Sequence, residues 1–155
     1  MIKIIKNANV YSPEPIGKRD ILILDERIAH IAEKIDPPTG LGEVEVVDVK
    51  GATVVPGFID QHVHIIGGGG EGGPATRTPE IQLSQITTNG VTTVVGCLGT
   101  DGTTRHMYSL LAKARALEIE GITTFIYTGA YEVPTPTILD NVRDDVALID
   151  KVIGV

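Results

Sequence analysis

The sequence has 155 residues and carries 13 Lys and Arg against 20 Asp and Glu, which gives a formal net charge of −7. An acidic chain is a poor match for nucleic acid or for an anionic membrane, because both bind basic surfaces. Aromatic residues make up 4 % of the chain and Trp is absent, so the stacking side chains of a single-strand binder are also missing. We therefore expect neither nucleic acid nor a membrane as a partner.

Cysteine content and hydropathy indicate the cellular compartment in which the protein is expected. Cys97 is the only cysteine, which excludes an internal disulfide framework and fits a reducing compartment. No apolar run approaches the roughly 18 residues of a membrane helix. The first residues lack the apolar stretch and the small-residue cleavage site of a signal peptide. These features predict a soluble, cytoplasmic protein.

Residues 1–55 are predicted to form a small β domain without a helix. Strands are expected at residues 2–7, 21–24, 27–32 and 43–49. Asp25 and Glu26 supply the turn of a β-hairpin between the second and third strands. Pro13 and Pro15 favour a loop over residues 11–15, because proline fixes φ and lacks a hydrogen-bond donor.

From residue 56 onward, strand and helix patterns alternate. Strands are expected at 58–65, 91–95, 122–127 and from 152, and helices at 79–89, 105–120 and 140–151. Thr78 and Gly90 are the predicted N-cap and C-terminal stop of the first helix. In the second helix, apolar residues recur at helical spacing at Leu110, Leu111, Ala114 and Leu117. In the third they recur at Val142, Val146 and Ile149.

The spacing of these strands indicates an architecture. Their starts lie about 31 residues apart, which is the length of a β-loop-α-loop unit of a parallel sheet. A doubly wound sheet and a (β/α)8 barrel both fit this pattern. A barrel needs eight units and about 250 residues, whereas residues 56–155 hold three units and the start of a fourth strand.

The sharpest chemical signal is His62-Val63-His64 on the first of these strands. Alternate residues of a strand share a face, so Asp60, His62 and His64 are expected to point the same way. Two neighbouring imidazoles can bind one metal ion, and imidazole suits Zn, Fe, Ni or Cu. A pair of hydrogen-bonded strand histidines without a metal is the alternative, and the strand context and the following glycines favour the metal.

The loop after that strand is the second signal. Residues 67–73 hold six glycines and one charged residue, Glu71. Backbone N–H groups of glycines can approach a ligand closely, and a lone carboxylate can bind a ligand cation such as an amino group. The loop matches neither common nucleotide-binding fingerprint. A flexible surface linker is the alternative, but α/β folds place their sites at the carboxyl ends of parallel strands.

Polar residues also follow the next two strands. Thr100 offers a hydroxyl and Tyr131 a phenol, and both can hydrogen-bond an anionic or carbonyl oxygen. In a barrel their loops would surround the same mouth as the two histidines. Arg77 and Arg105 are weaker candidates for binding a carboxylate, and Cys97 is expected to be an inert buried thiol.

Several segments together resemble a known family. Residues 56–64 (PGFIDQHVH), preceded by the small β domain, are similar to the entry of the amidohydrolase superfamily. Residues 65–80 with their glycines, residues 90–96 and 98–101, and Thr128–Tyr131 are similar to the isoaspartyl (β-aspartyl) dipeptidase family within it. The resemblance covers essentially the whole chain.

The resemblance implies a fold and an activity. The fold would be a (β/α)8 metallo-hydrolase barrel, with about its first half in residues 56–155, preceded by the N-terminal part of a small β-sandwich domain in residues 1–55. The activity would be zinc-dependent hydrolysis of β-aspartyl dipeptides by a metal-activated water. Another amidohydrolase, dihydropyrimidinase-like or deacetylase-like, and a non-catalytic metal-binding fragment are the alternatives.

The resemblance also implies residue roles. His62 and His64 would bind the more buried of two zinc ions. Gly69, Gly70 and Glu71 would hold the aspartyl end of a small dipeptide, with Glu71 facing its α-amino group and Thr100 assisting. Tyr131 would hydrogen-bond the scissile carbonyl and the oxyanion that forms from it.

Other parts of the family's site are expected outside these 155 residues. They include the general base, the later histidine ligands and a carboxylated lysine that bridges the metals, which would come directly after Val155. We therefore expect the chain to be part of a longer polypeptide, and the family resemblance implies a homo-oligomer. Two histidines alone are too few ligands for a catalytic zinc, which normally has at least three from protein.

Overall fold

The first 56 residues form one β-sheet. The structure is a computed structural model that describes every residue from Met1 to Val155, in two units, Met1–Pro56 and Gly57–Val155. The strands of the first unit are β1 (Ile2–Tyr11), β2 (Pro15–Leu24), β3 (Arg27–Ala32), β4 (Val44–Asp48) and β5 (Thr53–Val54). The sheet order is β3-β2-β1-β4, with β5 also paired to β1.

The predicted hairpin is confirmed, and the strands before it are longer than expected. β2 pairs antiparallel with both β1 and β3, and Asp25 turns between β2 and β3 with a positive φ of 52°. β2 begins at Pro15, inside the expected loop, because the ladder with β1 extends to the pair Tyr11–Pro15. Proline is tolerated as the first residue of a strand, where no ladder donor is lost.

The second unit is a parallel sheet with helices between its strands. Its strands are β6 (Phe58–Val63), β7 (Val91–Gly96), β8 (Thr123–Tyr127) and β9 (Val152–Gly154), in the order β6-β7-β8-β9. Its helices are α1 (Leu83–Thr87), α2 (Met107–Ile119) and α3 (Val142–Leu148), with a 3₁₀ turn at Pro74–Thr76. The predicted mixed α/β architecture with parallel strands is confirmed.

Helix α2 forms the main helical contribution to the core. Leu110, Ala114 and Leu117 are fully buried, and Leu111 packs against them, as the helical spacing predicts. Thr124 of β8 lies under this helix and donates its hydroxyl proton to the Ala114 carbonyl at 2.8 Å. With 13 residues α2 is the longest helix, and none of the helices has the length and apolarity needed to cross a membrane.

The first predicted helix begins later than expected. Helix α1 starts at Leu83, and its N-cap is Gln82, whose amide donates to the Gln85 side-chain oxygen at 2.9 Å. Thr78 is not the cap, because its hydroxyl and amide are hydrogen-bonded to Gly68. The residues between them have no regular secondary structure and line a cleft with Gly68 and Gly69 of the glycine-rich loop.

The third predicted helix is shorter, and its buried residue is different. Helix α3 is capped by Asn141, whose side chain accepts from the Asp144 amide at 2.9 Å. Val146 is 42 % exposed, whereas Asp145 is fully buried. The Asp145 carboxylate accepts hydrogen bonds from the amides of Ile138 and Leu139 and from the Thr128 hydroxyl. Hydrogen bonding to the preceding loop therefore sets which side of this short helix is buried.

Parallel pairing gathers three loops at one edge of the sheet. Strands β6, β7 and β8 end at Val63, Gly96 and Tyr127 and run in the same direction. The loops that follow them therefore leave the sheet at its carboxyl edge, which is where α/β proteins place their sites.

Candidate active site

His62 and His64 lie close together at the end of β6. Their ring centroids are 5.3 Å apart, and the rings are nearly perpendicular, at 84°. His62 is exposed and His64 is half-buried. Asp60 accepts a hydrogen bond from the His62 amide at 3.1 Å, which keeps its carboxylate near the backbone. The structure thus brings together the two imidazoles that the sequence singles out.

Cys97 and Gly99, at the end of β7, contact His64. The Cys97 sulfur lies 3.6 Å from His64 Nδ1, and the Cys97 amide donates to the Val63 carbonyl at 3.0 Å. Gly99 has a φ of +81°, and a Cβ there would lie 2.7 Å from the His64 ring. Burial, and to a lesser extent the charge of Asp60, raises the pKa of the Cys97 thiol.

These three side chains form a possible metal site. One ligand atom each from His62, His64 and Cys97 lies within 4.8 Å of the other two. Imidazole nitrogen and thiolate sulfur are the ligands that zinc prefers in proteins. The residues present therefore fit a zinc ion.

The glycine-rich loop has a defined conformation. Thr78 holds it from one side, because its hydroxyl accepts from the Gly68 amide at 2.7 Å and its amide donates to the Gly68 carbonyl at 2.9 Å. Gly69 has a φ of +69°, and a Cβ there would lie 2.5 Å from the Thr76 carbonyl oxygen. This part of the loop therefore has a defined, hydrogen-bonded conformation and is not a flexible linker.

Arg105 holds the same loop from the other side. Its side chain is 3 % exposed, and its guanidinium donates to the carbonyls of Gly68 and Gly69 at 2.9 Å each and to that of Ile66 at 3.2 Å. In a trans peptide the N–H points opposite to the C=O. The amides of Gly69 and Gly70 therefore point away from Arg105, and the hydrogen bonds within the loop do not use them.

Arg105 is not free for a ligand carboxylate in this arrangement. Arg105 directs its donors at backbone carbonyls, and both arginines lie near the Asp101 carboxylate, at 3.5 and 3.6 Å. Hydrogen bonds from the Thr104 hydroxyl and amide, assisted by the two arginines, lower the pKa of Asp101. The interpretation of Arg105 as a ligand-binding residue is therefore replaced by a structural role.

Glu71 and Thr100 meet across the loops after β6 and β7. The Thr100 hydroxyl donates to the Glu71 carboxylate, and both residues are exposed. This bond lowers the pKa of Glu71, with smaller contributions from its own amide and from the charges of Arg105 and His64. The carboxylate is therefore kept negatively charged, as the binding of a cation requires.

Tyr131 shares a cleft with the two histidines. The cleft has a volume of about 390 Å³ and is also lined by Cys97, Tyr127, Gly129 and Val155. Tyr131 is 78 % exposed, so its phenol is accessible from this cleft. A second cleft of about 410 Å³ contacts His64, Gly68 and Gly69. His64 thus borders both clefts.

Two residues at this site have roles that the sequence does not predict. Cys97 contacts His64, although a cysteine after an apolar strand is expected to be inert. Arg105 organises the glycine-rich loop from 36 positions away along the chain. In the sequence, the role of Arg105 is indicated only by its position as a lone arginine between a strand end and an apolar helix. The role of Cys97 is indicated only by its position directly after the strand that neighbours the one with His62 and His64.

The chain is similar to known hydrolases. The Amidohydrolase family model matches residues 45–116. A β-aspartyl dipeptidase from Fervidobacterium islandicum AW-1, solved in complex with β-Asp-Leu dipeptide, is 55 % identical over 100 % of this chain, with a TM-score of 0.92. The match covers 40 % of that structure's own chain.

Curated relatives match a shorter segment. Dihydropyrimidinase 2 of Caenorhabditis elegans is 45 % identical over 65 residues, which is 42 % of this chain and 12 % of the relative. A dihydroorotase of Staphylococcus aureus (strain Mu50) is 43 % identical over 70 residues, which is 45 % of this chain and 16 % of the relative. The chain is thus similar over its whole length to a β-aspartyl dipeptidase, and residues 45–116 are similar to the amidohydrolases.

Proposed function

We propose that this chain carries part of the active site of a zinc-dependent hydrolase of β-aspartyl dipeptides. The observation that carries the proposal is the whole-length similarity, at 55 % identity, to a β-aspartyl dipeptidase solved with β-Asp-Leu. The chain spans less than half of that enzyme's length, so the reaction is assigned here to the protein of which these residues form a part.

The proposed scaffold is a (β/α)8 barrel preceded by a β-sandwich domain. Four parallel strands that pair in sequential order, with helical crossovers, fit the beginning of such a barrel. The apolar side chains of Phe58 and Ile59 on β6 and of Ile153 and Val155 at β9 are exposed. Closure of a barrel would cover these edges.

His62 and His64 are the proposed zinc ligands in this chain. Family resemblance adds a second zinc and a carboxylated lysine that would follow Val155. A bound divalent zinc supplies Lewis acidity and lowers the pKa of a coordinated water. The chain's own contribution is to fix the two imidazoles, which the β6 backbone and the close contact of Gly99 with His64 accomplish.

The glycine-rich loop is the proposed site of the substrate's aspartyl end. The outward amides of Gly69 and Gly70 can donate to its free carboxylate, and Glu71 can pair with its α-ammonium group. The Thr100 hydroxyl occupies one lone pair of Glu71 and thereby orients the carboxylate. A β-aspartyl dipeptide has both a free α-amino group and a free α-carboxyl group on one residue. Such a site would therefore distinguish it from a dipeptide in which one of these groups forms the peptide bond.

Tyr131 is the proposed donor to the scissile carbonyl. Its phenol lies along the cleft that His62 and His64 line. A phenol O–H can hydrogen-bond a carbonyl oxygen and bind it more strongly as negative charge develops there. Tyr131 would therefore stabilise the oxyanion of the tetrahedral intermediate.

A hydrolase of cyclic amides is the second candidate. The matches to dihydropyrimidinase 2 and a dihydroorotase, at 45 % and 43 % identity, favour this alternative over a limited segment. Those matches cover less than half of this chain, whereas the dipeptidase match includes the loops that hold Glu71, Thr100 and Tyr131. A cyclic amide without an ammonium group also leaves the Glu71 carboxylate without a cationic partner.

Substitution of Glu71 tests the proposal. Glu71→Gln keeps the shape and the hydrogen bond from Thr100 but removes the charge, so kcat/KM for β-Asp-Leu should fall about 100-fold or more, as expected for loss of a charge-assisted contact. The measurement is steady-state hydrolysis of β-Asp-Leu by the purified protein, with Glu33→Gln as a control because Glu33 is exposed in the first unit.

Two outcomes would contradict the proposed function. The first is that the wild-type protein hydrolyses dihydroorotate or dihydrouracil and not β-Asp-Leu. This result would favour a hydrolase of cyclic amides. The other is β-Asp-Leu hydrolysis that is unchanged both by Glu71→Gln and by removal of metal with a chelator.

A further inference from the structure

Tyr131 lies in the loop between β8 and α3, residues 128–141, where little packing holds its side chain. Residues 131–134, called the tip here, are all exposed, whereas Thr135 is half-buried. An exposed side chain takes its position from the backbone that carries it, which a rigid scaffold must fix. The place of the Tyr131 phenol in the cleft therefore depends on what holds the backbone next to the tip.

The hydroxyl of Thr135 fixes the residue directly before Tyr131. It accepts from the Ala130 amide at 2.9 Å and donates to the Ala130 carbonyl at 3.2 Å, and one hydroxyl can do both at the same time. The Ala130 carbonyl shares a planar peptide with the Tyr131 amide. The two bonds therefore orient both peptide planes beside the Ala130 Cα, and with them the backbone that enters Tyr131.

Gly129 allows Thr135 to come this close. Gly129 is buried and has a φ of +101°, and a Cβ there would lie 2.6 Å from Thr135 Oγ1 and 3.2 Å from Val155 Cγ2. A residue with a side chain would displace the hydroxyl. Thr135 is thus seated against the backbone of the same loop.

The two ends of the loop are held independently of Thr135. The Asp145 carboxylate of α3 accepts from the Thr128 hydroxyl at the start of the loop and from the amides of Ile138 and Leu139 near its end. Loss of the Thr135 hydroxyl should therefore release the tip without unfolding the rest of the loop.

We propose that Thr135 is a positioning residue, whose hydroxyl fixes the backbone at Ala130 and thereby holds the Tyr131 phenol in the cleft beside His62 and His64. Thr135 does not line that cleft, so it acts through Tyr131 and not on the substrate. The inference rests on the proposed function for the part that Tyr131 plays in the reaction.

A threonine that only stabilises its loop is the competing interpretation. Threonine hydroxyls commonly hydrogen-bond nearby backbone groups in turns. In that case, loss of the hydroxyl would lower the amount of folded protein, and its effect would not depend on the Tyr131 phenol.

Steady-state hydrolysis of β-Asp-Leu is the first test. Thr135→Val should lower kcat about 10-fold, because a displaced donor stabilises the transition state less. KM should change less than about 2-fold, since the phenol contact strengthens only in the transition state. Thr135→Ser should restore kcat. Thr137→Val in the same loop is the matched control, because the Thr137 hydroxyl takes no part in the bonds at Ala130.

The same substitution in the Tyr131→Phe background separates positioning from stability. Tyr131→Phe removes the phenol hydroxyl, so a further Thr135→Val should then change kcat less than about 2-fold. A second fall of about 10-fold would mean that Thr135 acts on the fold and not through the phenol. That result would overturn the inference, as would wild-type kcat in Thr135→Val alone.

Hydrogen exchange of the Ala130 amide tests the contact without a substrate. Thr135→Val should speed this exchange about 10-fold, whereas Thr135→Ser and Thr137→Val should leave it as in the wild type. Thr135→Ala, which also removes the hydroxyl, replaces Thr135→Val if that variant misfolds. Unchanged exchange would overturn the inference.

The two measurements distinguish this inference from the proposed function. Faster exchange at Ala130 in a protein that does not hydrolyse β-Asp-Leu would support the Thr135 contact and contradict only the proposed function. Hydrolysis of β-Asp-Leu that is unaffected by Thr135→Val would do the reverse.

Discussion

Asp20 is a buried carboxylate of the first unit, and its surroundings keep it charged. Its burial acts to raise the pKa, but hydrogen bonds from Lys6 and from the amides of Asn7 and Ile35 outweigh it and lower the pKa from 3.8 to about 2. Lys6 also donates to the Ile35 carbonyl at 2.8 Å. One carboxylate thus ties β1, β2 and the segment after β3 together.

The depressed pKa predicts a pH-dependent contribution to stability. A group whose pKa is lower in the folded state stabilises the fold above its unfolded pKa and loses that effect as the pH falls through the folded value. Asp20 should therefore contribute about 2 kcal/mol above pH 4, which is lost between about pH 4 and pH 2.

Asp20→Asn tests this prediction. The variant should be less stable than the wild type by about 2 kcal/mol at pH 7, with the difference shrinking toward pH 2. Hydrogen exchange of the β1 amides measures the effect, and Asp36→Asn, which removes an exposed carboxylate of the same unit, is the control. An equal loss at pH 7 and pH 2 would mean that the charge of Asp20 is not the cause.

At the scale of elements, the glycine-rich loop depends on Arg105. The loop has few side chains to pack, so its shape comes from hydrogen bonds to Thr78 on one side and to the guanidinium on the other. A buried guanidinium stays charged and needs acceptors, which the loop carbonyls provide. The same bonds orient the Gly69 and Gly70 amides that the proposed function assigns to substrate.

Arg105→Met should therefore weaken substrate binding more than the chemical step. We expect KM for β-Asp-Leu to rise about 10-fold, equivalent to about 1.4 kcal/mol, with a smaller change in kcat. Arg115→Met on helix α2, which begins two residues after Arg105, is the control, because Arg115 is exposed and lies 3.9 Å from Asp150. A fall in kcat with KM unchanged would contradict the positioning role.

At the scale of the whole molecule, the parallel sheet has two open edges. Phe58 and Ile59 are 60 % and 63 % exposed on β6, and Ile153 and Val155 are 49 % and 73 % exposed at the other edge. Apolar patches of this kind mark surfaces that bind other protein or apolar ligands. They are the surfaces that closure of the barrel proposed above would cover.

The 155-residue chain should consequently bind the dye 1-anilinonaphthalene-8-sulfonate with enhanced fluorescence. Phe58→Ser/Ile59→Ser should reduce that signal, because it removes the apolar surface of the β6 edge. Val133→Ser is the control, since Val133 is 97 % exposed away from the strands. A wild-type signal no higher than that of the double variant would show that this edge is not available to solvent.

Local periodicity determined much of this protein's organisation. The alternation of strands and helices, the buried face of α2 and the placement of His62 and His64 on one side of a strand all follow from spacings of two or about 3.6 residues. Those spacings are properties of neighbouring residues, so the sequence by itself carries them. The resemblance of residues 65–80 to a dipeptidase family likewise needs no structure.

Tertiary structure alone decided which distant groups meet. Cys97 reaches His64 through the register of β6 and β7, Arg105 reaches the glycine-rich loop across 36 positions, and Asp145 rather than Val146 is buried in α3. Each case depends on strand pairing or on a buried charge that finds its hydrogen-bond partners outside its own helix or loop. Local periodicity encodes neither, because both are settled only when the whole sheet has assembled.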